Sequence, residues 1–448
     1  MQVSLDSLAG QMLEAARAAG ADSADAIAVS GTSISIDVLH GKLEHAERSE
    51  GVEIGLRVLI GQRQACVSAS DTSAETIAAM AEHAVAMARE APEDPYIGLA
   101  DPDQLAQSWD LGALELEDPS PEPAPAELED HARRAEAAAL AVAGVSQVQS
   151  TSAGYGRQQI HLAASNGFSG GYARTSRALS LAAISGTGAG MERDFNAESR
   201  VFQADLPSPE EIGRIAGERA VARAGASQPP TGTFPVLFDE RVAASLIGHL
   251  LMAVNGSAIV RGSSFLRDHL GKPVLPEGLS LIEEPHRARI SGSRPFDAEG
   301  LPTRRRAIVE NGILKGWTLD LATARKLGME STANATRGTS APPSPATGNV
   351  TLTEGKRSRE ELMRDMGTGL LVTSLIGSTI NPNTGDYSRG AAGFWVENGE
   401  IVRPVNECTI AGNLIDMLAR IIPANDARPH CSHRVPSLLV EGMVLAGS

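Results

Sequence analysis

Aromatic side chains are scarce, at 3% of the 448 residues. Ala, Val, Leu and Ile must therefore do most of the core packing. Only three cysteines occur, Cys66, Cys408 and Cys431. They are too few and too scattered for a disulfide scaffold, and they fit a reducing compartment. Positive charge is in deficit, with 39 Lys and Arg against 55 Asp and Glu, for a net charge of −16. That balance argues against nucleic acid or an anionic membrane surface as the main partner. No apolar run approaches the roughly 18 residues needed to span a bilayer. Asp6 interrupts the N-terminal stretch where a signal peptide would need its apolar segment. Together these absences point to the cytoplasm. Nucleotide motifs are missing too. There is no Walker A sequence, and Gly186-Thr187-Gly188-Ala189-Gly190 has Met191 where a dinucleotide fingerprint needs its third glycine.

What is present is ordinary globular material. Hydrophobic residues make up 42% and charged residues 21%. The pattern predicts an α+β protein in three parts. Residues 1–117 read as an N-terminal αβ domain. Leu5, Leu8, Met12, Leu13 and Ala16 recur at helical spacing up to Gly20, and residues 74–90 carry a second apolar stripe. Between them, residues 34–38 and 52–60 alternate as strands. The proline-spaced stretch Asp118–Pro125 is a linker candidate. Residues 118–228 then read as a middle domain: a helix near 126–143, a β-meander over 145–184 broken at its glycines, and a helix opened by Ser208-Pro209 with Glu211. Gly225–Pro230 is a second linker candidate. Residues 229–448 read as a mainly β domain with a strand at 235–238 and an apolar helix at 242–252. Short helices are expected at 319–327 and 359–366. Asn311-Gly312 and Asn398-Gly399 are hairpin signals, because Asn-Gly accepts the positive φ of a type I′ turn.

Short chemical motifs yield no active site. Gly167-Phe168-Ser169-Gly170-Gly171 matches the nucleophile elbow in letters, but no apolar helix follows it, and a hairpin loop is the expectation. Zinc peptidases place two histidines one turn apart on a helix, with a glutamate between them as general base. His249 lies on an apolar helix, but Leu250 stands in the glutamate's place, and neither Ala253 nor Val254 can ligate. The remaining cluster, His430-Cys431-Ser432-His433, combines imidazole and thiolate, both good zinc ligands, although a polar loop is the commoner explanation. His249, Cys431, His430 and His433 are thus weak metal candidates, and no residue qualifies as catalytic or cofactor-binding. Glu283-Glu284 before Pro285 reads as a solvated turn. Arg304-Arg305-Arg306 and Lys356-Arg357-Ser358-Arg359 read as solvated loop charge.

Longer blocks say more. Gly385-Asp386-Tyr387-Ser388-Arg389-Gly390-Ala391-Ala392-Gly393-Phe394-Trp395-Val396-Glu397-Asn398-Gly399-Glu400 runs on to Pro404-Val405-Asn406-Glu407-Cys408-Thr409-Ile410-Ala411-Gly412-Asn413-Leu414. Val309–Leu314 is followed by Ala324–Gly328, and Gly248-His249-Leu250 by Ser257–Leu266. In this order the blocks resemble the TldD/PmbA family, also called modulators of DNA gyrase, and within it the PmbA or TldE branch. The resemblance covers almost the whole chain.

The resemblance implies a heterodimer of two kinds of subunit. TldD-type subunits carry His-Glu-x-x-x-His and a distant Cys as zinc ligands. His249 falls on the first His, Leu250 on the Glu and Val254 on the second His. Cys431 falls in the region of the Cys ligand. The chain is therefore expected to be the non-catalytic partner in a zinc metallopeptidase, with zinc held by the TldD-type subunit and none here. It would help enclose a cavity that admits unfolded or short peptides, and could form a homodimer when alone. Two other readings compete: an autonomous metallopeptidase with a rearranged His/Cys site, and a regulatory binding protein.

Overall fold

The computed structural model describes residues 4–447. The outer limits of the expected domains, residues 1 and 448, lie outside the described residues.

Two helices and three strands build the first part: α1 (Leu5–Ala19), β1 (Ser23–Leu39), β2 (Lys42–Ile60), β3 (Arg63–Ala69) and α2 (Ala74–Glu90). Ser4 caps α1 through the Ser7 N–H, and Gly20 ends it at a φ of 94°. The middle part contributes α3 (Pro125–Leu140), β4 (Val145–Ala164), β5 (Ser169–Ser185), β6 (Glu192–Arg200) and α4 (Pro209–Ala222). The Ser208 hydroxyl accepts the Glu211 N–H at 3.2 Å, so α4 starts where its sequence signal lies. The expected breaks at Gly154 and Gly156 do not occur, because β4 runs through both.

All six strands lie in one antiparallel sheet, ordered β3-β2-β1-β4-β5-β6. The long β1 joins the first part to the middle part by pairing with β2 on one side and β4 on the other. Its even-numbered residues face the helices. Ala24, Ala26 and Ala28 pack under α1 and α2, whereas Ile34, Ile36 and Val38 pack under α3 and α4. Alanine dominates the helix faces, so helices approach closely. At Gly213 in α4 an added Cβ would lie 2.0 Å from the Ala135 carbonyl oxygen of α3. Small side chains thus replace the missing aromatics by shortening interhelical distances.

The opposite sheet face turns toward the C-terminal part. There Ile27 and Leu162 join Phe168, Phe296 and Leu301 in a shared apolar cluster. Asp25 is buried beneath it, held by Arg57 at 2.7 Å and by Arg337 from the C-terminal part.

The C-terminal part is a barrel with side additions. Its strands Gly232–Phe238, Gly369–Ile380, Asp386–Glu397, Glu400–Asn413 and Leu438–Ala446 close on themselves through pairing of the last two. Both Asn-Gly turns form, with φ of 46° and 83° at Asn311-Gly312 and 52° and 79° at Asn398-Gly399. The apolar helix is α5 (Glu240–Ala253), and it packs into the main core with Val236, Phe238, Leu370 and Leu438.

Three charge expectations need correction. Glu283 is buried in strand Leu281–Glu283. It meets Arg306 at 2.7 Å, Asn334 at 2.7 Å and the Gly348 N–H at 2.6 Å. The sequence shows each charge in a run without its distant partner, which is why Glu283 and Arg306 both read as solvated. Arg359 likewise reaches across to buried Asp239 at 2.8 Å.

Candidate functional site

The strand Gly232–Phe238 feeds straight into α5. Asp239 caps the helix by accepting the Arg241 N–H at 3.2 Å. Ion pairs with Arg241 and Arg359 keep its carboxyl acidic despite burial. The helix is apolar on most of its surface, so its middle lies inside the barrel region rather than on the outside.

His249 is 7% exposed, and neither ring nitrogen has a hydrogen-bond partner among the described residues. Its ring meets Tyr387 edge-on, with centroids 5.9 Å apart. Burial pushes its pKa down, and the Arg389 charge adds to that. The imidazole is therefore held neutral. Leu250 and Val254 are fully buried in the main core cluster.

The other candidates lie elsewhere. Arg428 binds Glu240 at 2.7 Å, which places the loop before Cys431 at the N-terminal end of α5. His249 is nine residues further along, roughly 13 Å by helical rise. His430 lies 3.5 Å from Glu198. Hydrogen bonds to Cys431 and Glu198 raise its pKa to about 8. Burial pushes the Cys431 thiol up, but the bond with His430 and the Arg428 charge outweigh it and hold the thiol below its usual value. His433 pairs in register with Val350 and borders a separate cleft. Burial lowers its pKa. The structure thus brings His430 and Cys431 together and leaves His249 apart from them.

A zinc-peptidase site does not fit these residues. Among the described residues no three His, Cys, Asp or Glu side chains converge in a metal-binding arrangement. The positions one and five residues after His249 are Leu250 within α5 and Val254 at its C-terminal cap, both buried in the core. No step of a metal-dependent reaction can be assigned to this chain.

The serine of the elbow-like motif does have a histidine neighbour that sequence reading missed. Ser169 Oγ is 2.9 Å from His161 Nε2, and Asp6 is 3.2 Å from the same nitrogen. A triad needs the acid and the serine on opposite ring nitrogens. Here they compete for one, and β5 begins at Ser169 where an elbow would start a helix. The cross-strand pairing of Ala163 with Ser169, which fixes this encounter, has no short-range sequence signal.

Comparison with known proteins agrees with the family signature. Family profiles match in three consecutive pieces: PmbA/TldA metallopeptidase domain 1 over residues 24–88, the central domain over 118–224, and the C-terminal domain over 231–447. The chain belongs to the PmbA/TldD metallopeptidase family. Metalloprotease PmbA of Escherichia coli O157:H7 is 36% identical over 95% of this chain and 92% of its own. The metalloprotease PmbA homologue of Haemophilus influenzae is 38% identical over 97% and 94%. Among solved structures, a candidate modulator of DNA gyrase from Bacteroides thetaiotaomicron superposes with a TM-score of 0.92 at 26% identity, covering all of both chains. The whole architecture, the barrel included, is thus that of a PmbA/TldD family member.

Proposed function

We propose that this chain is the non-catalytic, TldE-type subunit of a heterodimeric TldD–TldE zinc metallopeptidase that processes unfolded or short peptides. One observation carries the reading. At the helix positions where a TldD-type chain needs a general base and a second histidine, Leu250 and Val254 are packed in the apolar core. Installing ligands there would bury charge or break packing, so the helix has been committed to holding the barrel together. Zinc and catalysis then belong to a TldD-type partner. This chain contributes walls of an enclosed peptide chamber, in the cytoplasm. Peptide held along β-edges by backbone hydrogen bonds explains affinity with little sequence preference.

The test is reconstitution. The purified chain is expected to hold less than stoichiometric zinc and to show no peptidase activity. Activity should appear when a TldD-type chain with an intact His-Glu-x-x-x-His helix is added. Stoichiometric zinc in this chain, with activity abolished by His249→Ala, would overturn the proposal.

The rearranged-site reading has one observation on its side, the contact of His430 with Cys431. No third ligand converges on them among the described residues: Glu198 beside His430 is ion-paired with Arg200 and Arg428, and His249 is about 13 Å further along α5. Loss of autonomous peptidase activity in Cys431→Ser would be its signature.

A further inference from the structure

Between the inner face of the six-stranded sheet and the loops around residues 292–298 and 335–348 lies a cleft of about 510 Å³. The sheet supplies an apolar stretch of Ile27, Val29, Ile160 and Leu162, and the loops add Phe296. Three guanidinium groups border it, that of Arg174 from β5 and those of Arg294 and Arg337 from the loops.

These charges are held by neutral groups or shared. Arg174 donates to the Ser291 and Ser293 carbonyls at 2.9 and 3.3 Å. Arg294 donates to the Ala335 and Ala346 carbonyls at 3.0 and 3.1 Å. Carbonyls orient a guanidinium without neutralising it. The Arg337 side chain is 0% exposed and pairs with Asp25, which also serves Arg57. Each of the three also holds one buried N–H that no described protein atom accepts, Arg174 Nε, Arg294 Nε and Arg337 Nη2. Glu53 and Asp297 also border the cleft, and both are engaged. Glu53 takes the Thr339 hydroxyl. Asp297 accepts the N–H groups of Glu299, Leu301 and Ala335 at 2.9–3.0 Å. The His433 imidazole is kept neutral by burial. In a chain of net charge −16, this cleft sets three guanidinium groups beside the carboxyls of Glu53 and Asp297, and the hydrogen bonds of Arg174 and Arg294 go to neutral carbonyls alone.

A second cavity of about 400 Å³ continues the first, with Gln158 and Arg174 lining both. Gly31 and Gly156 in its floor present no side chains, so a trough crosses β1, β4 and β5. The two joined volumes, about 510 and 400 Å³, give room for several residues of chain rather than a small ion.

We propose that the cleft binds the C-terminal end of a short peptide. The terminal carboxylate lies against Arg174 and Arg294, the last side chain rests on Ile160, Leu162 and Phe296, and the preceding residues follow the trough. Arginine is suited to this role because its planar fork matches a carboxylate. That the ligand is a peptide rests on the functional proposal above; the preference for an anionic end does not.

The experiment is calorimetric titration of the full-length chain with a pentapeptide ending in leucine, as free acid and as C-terminal amide, and with N-acetyl-leucine. The free acid is expected to bind at least tenfold more tightly than the amide and more tightly than N-acetyl-leucine. Arg174→Gln should erase the difference between acid and amide. Gly31→Leu adds bulk where the nearest atom to a new Cβ is the Arg157 carbonyl oxygen at 3.9 Å. It should weaken the pentapeptide and leave N-acetyl-leucine unchanged. Arg337 is left intact, because removing one member of a buried ion pair destabilises the fold. Equal affinity for acid and amide, or a difference that survives both Arg174→Gln and Arg294→Gln, would overturn the carboxylate site. N-acetyl-leucine binding as tightly as the pentapeptide would overturn the trough. If the chain fails to activate a TldD-type partner yet keeps its preference for the acid, the functional proposal falls and the site stands. Activation without that preference has the opposite meaning.

Discussion

His249 is a histidine in an apolar place, with no hydrogen-bond partner described for either ring nitrogen. A buried polar group without a partner costs about 1–3 kcal/mol. Replacing it by leucine, which neighbours such as Leu246 and Leu250 would accommodate, should therefore stabilise the chain by about 1 kcal/mol at neutral pH. The sign of the pH dependence follows from burial, which lowers the pKa in the folded chain below its usual 6.5. Below that value the unfolded chain takes up a proton that the folded chain refuses, so the native protein loses stability as pH falls. His249→Leu removes that loss, and its advantage should widen below about pH 6.5. Urea denaturation at pH 5.5 and 7.5 measures both effects; a gain that is smaller at pH 5.5 would refute the account. Most of this residue was legible beforehand. The apolar helix, the missing glutamate and the missing second histidine are all local in sequence. The neighbour Tyr387 is not, since it arrives from a strand 138 positions later.

Elements were read well where their signals are local. Residues 74–90, with their apolar stripe, and residues 359–366 form the helices expected there. Strand lengths were underestimated, because β1 extends over Ser23–Leu39 and only its Ile34–Val38 part alternates cleanly. Its Ala24, Ala26 and Ala28 are equally buried, but small residues carry a weak periodic signal. The same preference for small side chains sets the α3–α4 contact. Gly213→Ala would place a Cβ 2.0 Å from the Ala135 carbonyl oxygen, a backbone atom that cannot swing aside. The helices must separate, at a cost of about 1–3 kcal/mol for an overpacked core. A control at Gly10, where nothing lies within 4 Å of an added Cβ, should not destabilise and may be compared directly in the same thermal melts. Equal melting temperatures for the two alanine variants would show that the helix pair is loosely packed.

At the scale of the whole molecule, the sheet and the barrel part are locked by charges that no sequence window contains. Asp25 and Arg337 are 312 positions apart. The same distance in sequence hid the cleft, whose walls come from both the sheet and the C-terminal loops. Near this lock, acids accumulate. Asp297 accepts three backbone N–H groups, and Glu299 accepts the Leu321 N–H at 2.9 Å. Burial raises the Glu299 pKa well above 4.5, and the Asp297 and Asp320 charges raise it further. A carboxyl whose folded pKa is raised binds its proton more tightly in the native state. Its contribution is fully present below the unfolded value and is lost as pH climbs through the folded one. Glu299→Gln keeps an oxygen for the Leu321 N–H and removes the titration. The variant should match the native protein near pH 4 and exceed it increasingly toward pH 8. Melting temperatures at half-unit pH steps would display this as two curves that diverge upward in pH. Because Glu299 lines one small cavity with Asp25, Arg57 and Leu162 of the sheet, the gain should appear in a single cooperative transition. Parallel curves, or curves that converge toward pH 8, would mean that Glu299 is ionised in the native protein and that the acids at this junction are solvated.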